Sequence, residues 1–315
     1  MNAFLLLHVL LLFVLYSLPA TSVHAQCTCM GGAAVGGAAA GYGSAAMGVL
    51  SGQTLRAGLA YSYGYGDSYL RGSDAAETGP VEYYRMHYSD LSLAYGVSDA
   101  LTIEAGLGMF PRKLQHFPDY TIVGSGFSHL LLGGRFLLLD RVASPVEWTI
   151  GGNIRIPLSQ PSAYLPQHLN PSTGAFSIGM HTRLAKSVFK DELFLLLYQS
   201  VDFNSNNAAE YRYGPGLLSS VTGLWKLSDH LMLLTEIRHD YRMSDVLYGE
   251  RIYDSGSRTL VLSPQIGIRA GQLTFLPFLD YPLYRNYNGH QLANDFTTGL
   301  TVIWQGADNE TIYTP

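Results

Sequence analysis

The chain has 315 residues and a formal net charge of −5, and only 14% of its residues are charged whereas 47% are hydrophobic. The negative charge argues against nucleic acid as a partner, because proteins that bind nucleic acid present a basic surface. The two cysteines, Cys27 and Cys29, lie close together near the start of the chain, so disulfide bonds cannot hold the fold together.

The chain begins with a segment typical of a secretory leader. Residues from Phe4 to Ala20 are almost wholly apolar, and a cleavage site of small residues ends at Ala25. This pattern predicts a signal peptide over residues 1–25 and a mature chain that begins at Gln26. An uncleaved signal anchor is the alternative, because no Lys or Arg lies near Met1.

A segment rich in cysteine, glycine and alanine follows, at residues 26–53. Its small residues predict a flexible tether, and a plug inside the fold is the alternative. Cys27, Cys29 and Met30 offer two thiols and a thioether, which are soft ligands that suit copper, as Cu(I), or another soft metal. The competing interpretations are an ordinary unpaired terminus and disulfide exchange with a partner.

Twelve β-strands are predicted in the rest of the chain, which contains no apolar run close to the roughly 20 residues of a spanning helix. They cover residues 54–65, 82–97, 100–110, 121–139, 145–157, 173–188, 191–203, 210–227, 230–243, 257–269, 272–284 and 294–304. Short connections such as Ser98-Asp99 alternate with long ones such as 66–81 and 158–172. Pro264 and Pro277 fall within neighbouring strands, where each removes a ladder hydrogen bond or marks a bulge.

Alternation along these strands separates an apolar face from a polar face, because successive side chains point to opposite sides. In the third strand, for example, Leu101 and Ile103 oppose Thr102 and Glu104. The polar faces are predicted to line an interior. The charged and histidine residues of that lining are Arg56, Glu104, Arg135, Glu147, Arg155, His181, Arg183, Glu236, Arg238, Asp240 and Arg242. They serve either as structural ion pairs or as a selectivity lining for a solute, and the two roles are compatible.

The aromatic residues favour a membrane barrel over a soluble sandwich, which would show the same alternation. Trp148, Trp225 and Trp304 fall on the apolar face, within a few residues of a short turn or of the end of the last strand. They predict a membrane girdle at that level. A second girdle is predicted at the long-loop end, from Tyr61, Tyr63, Tyr65, Tyr83, Tyr84, Tyr211, Tyr213, Tyr241, Tyr281 and Tyr284.

The last strand-like run, Thr298–Trp304, reads polar-Gly-x-x-apolar-x-aromatic and resembles the C-terminal signal of bacterial outer-membrane β-barrels. Short turns, long loops and an even strand count are also typical of such barrels. Residues 54–304 thus resemble an all-β, single antiparallel transmembrane barrel with short periplasmic turns and long extracellular loops, followed by a C-terminal tail at 305–315. Among barrels, the chain is most similar to the phenol-degradation-pathway (MetA-pathway) transporter family.

This resemblance implies a Gram-negative outer-membrane channel through which small solutes, apolar or aromatic ones among them, diffuse passively. The partners that it implies are outer-membrane lipid, the barrel-assembly machinery and a small-molecule solute. Two alternatives stay open. One is a structural or metal-handling barrel that uses the Cys-x-Cys segment. The other is an outer-membrane hydrolase, since His87 and Ser89 share a strand face as in barrel-borne lipid A deacylases. One such match is expected by chance in a chain with ten histidines, and those deacylases are much shorter, eight-stranded chains, so no enzyme is predicted.

Overall fold

In the computed structural model, which describes residues 48–140, 146–189 and 192–306, twelve antiparallel strands close into one barrel. The strands are β1 Leu55–Gly66, β2 Tyr83–Ser98, β3 Leu101–His116, β4 Thr121–Leu139, β5 Glu147–Pro157, β6 Ser177–Phe189, β7 Leu193–Asn204, β8 Gly216–Lys226, β9 Leu231–Arg242, β10 Ser257–Ala270, β11 Leu273–Leu292 and β12 Phe296–Gly306. Each strand pairs with its neighbours in sequence, and β12 pairs back onto β1. The predicted twelve-stranded antiparallel barrel is confirmed.

The connections sort by length between the two ends of the barrel. One end, the short-turn end, carries the β2–β3, β4–β5, β6–β7, β8–β9 and β10–β11 turns as well as the start of β1 and the end of β12. The other, the long-loop end, carries the remaining connections, of which the β5–β6 loop at residues 158–176 is the longest. The helical part of the described chain is a single 3-10 turn, Gln167–Leu169, and no helix there is long and apolar enough to cross a membrane.

Three strand boundaries differ from the predicted ones by six residues or more. β3 continues to His116 because one extra residue is inserted near Pro111, where Phe110 pairs with Gly126 but Lys113 pairs with Gly124. Such a bulge accommodates a proline that cannot donate to the ladder. β11 continues to Leu292 because its end pairs with a short strand, Tyr69–Gly72.

The predicted start of β8 is wrong by six residues, 210 against 216. Residues Tyr211–Arg212 form a separate small sheet with Val246–Leu247, which in turn pairs with Glu250–Arg251. This small sheet joins the β7–β8 and β9–β10 loops at the long-loop end.

The outward face of the barrel is an exposed apolar belt. Ile103, Ile154 and Ile178 are exposed to 50%, 49% and 54%, whereas Thr102 and Thr149 on the inward face are almost completely buried. Water-soluble proteins rarely expose apolar patches larger than a few hundred Å². The belt therefore suits the hydrocarbon core of a bilayer, as in transmembrane barrels.

All three tryptophans point outward near the short-turn end. Trp304 pairs with Leu273 at the start of β11, and Trp225 pairs with Leu193 at the start of β7. The Nε1 of Trp148 donates to Thr182 Oγ1 at 2.8 Å. Their common level fits an interfacial belt, because an indole places an apolar ring in lipid and its N–H near polar groups. The girdle itself stays a prediction.

The predicted tyrosine girdle is wrong for three of its members. Tyr61, Tyr281 and Tyr284 are exposed on the outside, but Tyr84, Tyr211 and Tyr213 are buried. Tyr84 belongs to the inward face of β2, and the other two pack edge to face within the loops at a centroid distance of 4.9 Å.

The two prolines interrupt the ladder between β10 and β11, as predicted. Leu262 pairs with Tyr281 and Gln265 with Phe278, whereas Pro264 and Pro277 themselves have no partner in this ladder, within the described strands. Both prolines are exposed on the outside of the barrel.

A charge placed in the middle of the apolar belt should destabilise the barrel. Ile154 lies six residues from Trp148, about 15 Å along a tilted strand. Ile154→Arg is expected to lower the free energy of unfolding in lipid by about 2–4 kcal/mol. Denaturant titration of the refolded protein measures this. Tyr164→Arg, at a loop residue that is 96% exposed, is the control and should leave stability nearly unchanged.

Candidate functional site

The candidate site is the lumen of the barrel, and every predicted lining residue has a buried or partly buried side chain. Arg135 and Arg238 are each only 4% exposed, and Arg56 and Arg183 are 7% exposed. Charged groups at this depth need partners, because removing an unpaired charge from water is costly.

Two ion pairs lie in the half of the lumen nearer the short-turn end. Arg135 Nη2 lies 3.1 Å from Glu104 Oε2, which joins β4 to β3. Arg183 on β6 donates to Glu147 on β5. Each pair joins neighbouring strands on the inward face, so both pairs stabilise the barrel wall and keep charged groups along the lumen.

Two further ion-pair groups continue towards the long-loop end. Arg155 Nη2 lies 3.2 Å from Asp202 Oδ1. Arg238 contacts three carboxylates, at 2.9 Å from Asp240, 3.1 Å from Asp280 and 3.7 Å from Glu236. Arg238 thereby offsets part of the negative charge of this cluster.

His181 and Arg242 differ from the other lining residues in their partners. The ring of His181 stacks on Tyr198 at a centroid distance of 5.9 Å, and its Nε2 has no hydrogen-bond partner in the described part of the barrel. Arg242 Nη2 lies 3.8 Å from Asp245, a loop residue that also accepts a hydrogen bond from the Tyr211 hydroxyl. Burial and the Asp245 carboxylate raise the pKa of Tyr211, so its hydroxyl stays protonated and donating.

The segment before β1 runs inside the barrel. Leu50 is 4% exposed, and its N–H donates to the inward hydroxyl of Thr102 at 2.8 Å. A Cβ built at Gly48 would overlap the Glu147 carboxylate next to Arg183. Residues 48–54, called here the inner segment, therefore occupy part of the lumen at the short-turn end, where glycine is needed for the close approach.

Two apolar clusters lie inside the barrel, one towards each end. The inner apolar cluster near the short-turn end comprises Phe194, Leu224, Met232, Leu234, Leu276 and Ile303. The outer aromatic cluster near the long-loop end comprises Tyr69, Val81, Tyr84, Met86, Tyr88, Phe110 and Leu292. The charged pairs share the lumen with these apolar surfaces, so a solute would meet both kinds of lining.

Sequence reasoning missed Asp90, Asp202, Asp280 and Lys113 among the inward-facing charges. Asp202 lies on β7, whose residues near Leu195 are apolar on both faces, so alternation could not set its direction. The structure turns Phe194 inward and Leu195 outward. Asp280 alternates with exposed Pro277 and Leu279 and could have been found from that pattern. The bulge hid Lys113, because it shifts the alternation by one residue.

Cys27, Cys29 and Met30 lie outside the described residues, so the soft-metal site stays a prediction. The signal peptide and the greater part of the predicted tether also lie outside them. Within the described residues, no group of three His, Cys, Asp or Glu side chains is arranged to hold a metal ion.

The barrel is similar to a solved outer-membrane channel. The COG4313 outer membrane channel from Pseudomonas putida F1 matches with a TM-score of 0.70 and 12% sequence identity, over 84% of this chain and 98% of that chain. The NalP autotransporter translocator domain from Neisseria meningitidis matches at 0.48 with 15% identity, over 86% and 94% of the two chains. The CymD monoaromatic hydrocarbon channel matches at 0.43 with 10% identity, over 82% and 90%.

No protein-family model matches the sequence, and no curated protein does. The first of the three structural similarities establishes the fold of this chain as that of an outer-membrane β-barrel.

Removing Arg238 should destabilise the barrel more than removing an exposed arginine. Arg238→Met leaves buried carboxylates without their counter-charge and is expected to cost about 3–5 kcal/mol of unfolding free energy. Arg251→Met, on the exposed short strand Glu250–Arg251, is the matched control. The double variant Arg238→Met/Asp280→Asn should recover part of the loss. Equal midpoints for the two single variants would contradict a stabilising role for this cluster.

Proposed function

We propose that this protein is a channel of the bacterial outer membrane that lets small solutes diffuse passively through a narrow, charged lumen. The observation that carries the proposal is the closed twelve-stranded barrel with an apolar outside and ion-paired charges inside. Lipid suits the outside, and a charged interior suits a hydrated path. With twelve strands, the bore lies between the filled eight-stranded barrels and the open porins.

Apolar and aromatic solutes are proposed to be among those that pass. The lumen offers the outer aromatic cluster at one level and the inner apolar cluster at another, with paired charges nearby. Because the charges are already paired, they bind a polar solute weakly, whereas the apolar clusters can hold a solute that water solvates poorly. The likeness to the Pseudomonas putida F1 channel agrees with transport as the general role.

The partners proposed for this protein are outer-membrane lipid, the barrel-assembly machinery and the solute. The apolar belt and the outward tryptophans support lipid contact. The run Thr298–Trp304 lies in β12, which closes the barrel against β1.

For a hydrolase, His87 would need to activate Ser89. Its Nδ1 instead lies 2.6 Å from the Tyr61 hydroxyl, and the described residues show no bond between His87 and Ser89.

Flux through proteoliposomes tests the proposed function. Refolded full-length protein should pass small neutral solutes such as a pentose faster than a trisaccharide, because the bore is narrow. Liposome swelling measures the rates, with protein-free liposomes as the control. Rates equal to those of protein-free liposomes for every solute would overturn the channel proposal.

The inner segment should restrict conduction. A chain that begins at Gln53, without the segment that contains Leu50, is expected to show a larger single-channel conductance in planar bilayers than the mature chain. The physical reason is that ions would move through the part of the lumen that the segment fills. Leu50→Ala is the milder companion variant. An unchanged conductance of the truncated chain would show that the inner segment does not limit flow.

A further inference from the structure

A lysine points into the lumen near the long-loop end at a place where the strand is bulged. The extra residue near Pro111 brings Phe110 and Lys113 to the same inward face although they are three positions apart. Bulges often occur beside functional sites, because they re-aim a side chain while the strand stays paired on either side of the extra residue. Lys113 is 6% exposed.

Lys113 differs from the arginines of the lumen because no carboxylate of the described chain lies within ion-pair distance of it. Its Nζ donates to the main-chain carbonyl of Asn170 at 3.0 Å and lies 4.5 Å from the centre of the Phe110 ring. A carbonyl and a ring are neutral partners. Two of its three ammonium protons are therefore available for a stronger acceptor, and a buried ammonium gains most from an anionic one.

The surroundings of Lys113 are aromatic. Phe110 packs on Tyr88 at a centroid distance of 4.9 Å. The Tyr88 hydroxyl and the ring of His129 both lie within 3 Å of one point, the position of a Cβ built at Gly108. His129 is 8% exposed, and its Nε2 has no hydrogen-bond partner among the described residues. An aromatic wall thus ends, on one side, in an imidazole whose Nδ1 bonds Ser128 Oγ at 3.1 Å and whose Nε2 is free within the described chain, and on the other side in an ammonium.

The β5–β6 loop covers this place from the long-loop end. Its 3-10 turn packs against β3 and β4, and the Asn170 side chain fixes the loop by accepting from Ser162 N at 2.7 Å. His168 in the same turn also has an Nε2 without a hydrogen-bond partner within the described ranges. Burial and the nearby Lys113 lower the pKa of His168 to about 3, so this imidazole is neutral and does not supply a second cation.

We propose that Lys113, Phe110, Tyr88 and His129 form a binding site for an aromatic carboxylate inside the long-loop half of the barrel. The carboxylate accepts from the Lys113 ammonium protons that the Asn170 carbonyl leaves available, and the ring of the solute lies against Phe110 and Tyr88. This inference deepens the proposed channel function by naming a substrate class, and it rests on that function for its role in transport.

The chemistry of the site selects this class over its neutral and cationic relatives. A neutral aromatic solute would gain the apolar contacts but leave the ammonium with its carbonyl. A cationic one would be repelled by Lys113. A carboxylate also adds a charge-assisted hydrogen bond, which is about twice as strong as a neutral one.

Equilibrium binding to the purified full-length protein in detergent tests the site without requiring flux. Three probes share a ring and differ in charge: benzoate, benzyl alcohol and benzylammonium. Isothermal titration calorimetry at pH 6, at which the Lys113 amine is protonated and benzoate is ionised, should rank their affinities for the wild type in that order. The ranking uses no variant, so it stands whether or not a substitution disturbs folding. Benzylammonium binding as tightly as benzoate overturns the proposal.

Variants then locate the charge preference. Lys113→Met keeps the stem but removes the ammonium, and the ratio of benzoate to benzyl alcohol affinity should fall about tenfold. Lys113→Arg should retain most of that ratio. Lys226→Met removes a lysine that pairs with Asp229 at the short-turn end and should keep the wild-type ratio. Partition of the probes into micelles is the same for all variants and cancels.

The outcomes separate the site from the channel. A Lys113→Met ratio equal to that of the wild type, in protein that shows the heat-modifiable gel shift of a folded barrel, overturns the site even if liposomes show flux. Benzoate binding that depends on Lys113, without flux for any solute, supports the site and refutes the channel.

Discussion

Closure of the sheet between β1 and β12 is the constraint on which the rest of the structure depends. In lipid, each unpaired backbone N–H or C=O costs several kcal/mol, so a membrane-spanning sheet cannot keep an open edge. The pairing runs from Leu55 with Gly306 to Tyr65 with Phe296 and leaves neither strand an edge. Once the sheet is closed, successive side chains of a strand point alternately to lipid and to the lumen, and every side chain of the wall must suit one of these two environments.

The lumen of so small a barrel then imposes a second requirement on its charges. Side chains of the inward face are crowded enough to lose most of their water, so each charge needs a partner nearby. Neighbouring strands supply it, as with Glu104 on β3 and Arg135 on β4. Arg238 serves three carboxylates from its own strand and from β11. The same pairs that hold the wall also keep the lumen polar, so the structural and the lining roles of these residues are not alternatives.

Alternation made the strand count and the inward arginines predictable, because every second residue of a strand has to face lipid, as Leu101 and Ile103 do within Leu101–Glu104. The same rule fails wherever the strand is irregular or leaves the membrane. The bulge near Pro111 adds one residue to β3 and so reverses the direction that alternation predicts for Lys113. Tyr211 belongs to a small sheet between loops, where the alternation of the barrel strands does not set the direction of its side chain. The inner segment could not be placed from its sequence either, since small residues suit a tether and a close-packed plug equally. Local pattern fixes the wall, whereas the contents of the lumen depend on contacts far apart in the chain.

The contrast between Lys113 and the paired arginines follows from these constraints. An arginine that stabilises the barrel wall lies within ion-pair distance of a carboxylate on a neighbouring strand. Its charge and its hydrogen-bond donors are then engaged within the protein. Lys113 stands at a bulge, against a ring and a main-chain carbonyl, and it contributes no such bridge. A buried charge without a counter-charge lowers the stability of the fold, so Lys113 does not stabilise the barrel wall. An anion that binds at Lys113 supplies the missing counter-charge. The site therefore binds an anionic solute more tightly than a neutral one, and this difference in affinity is the source of its selectivity.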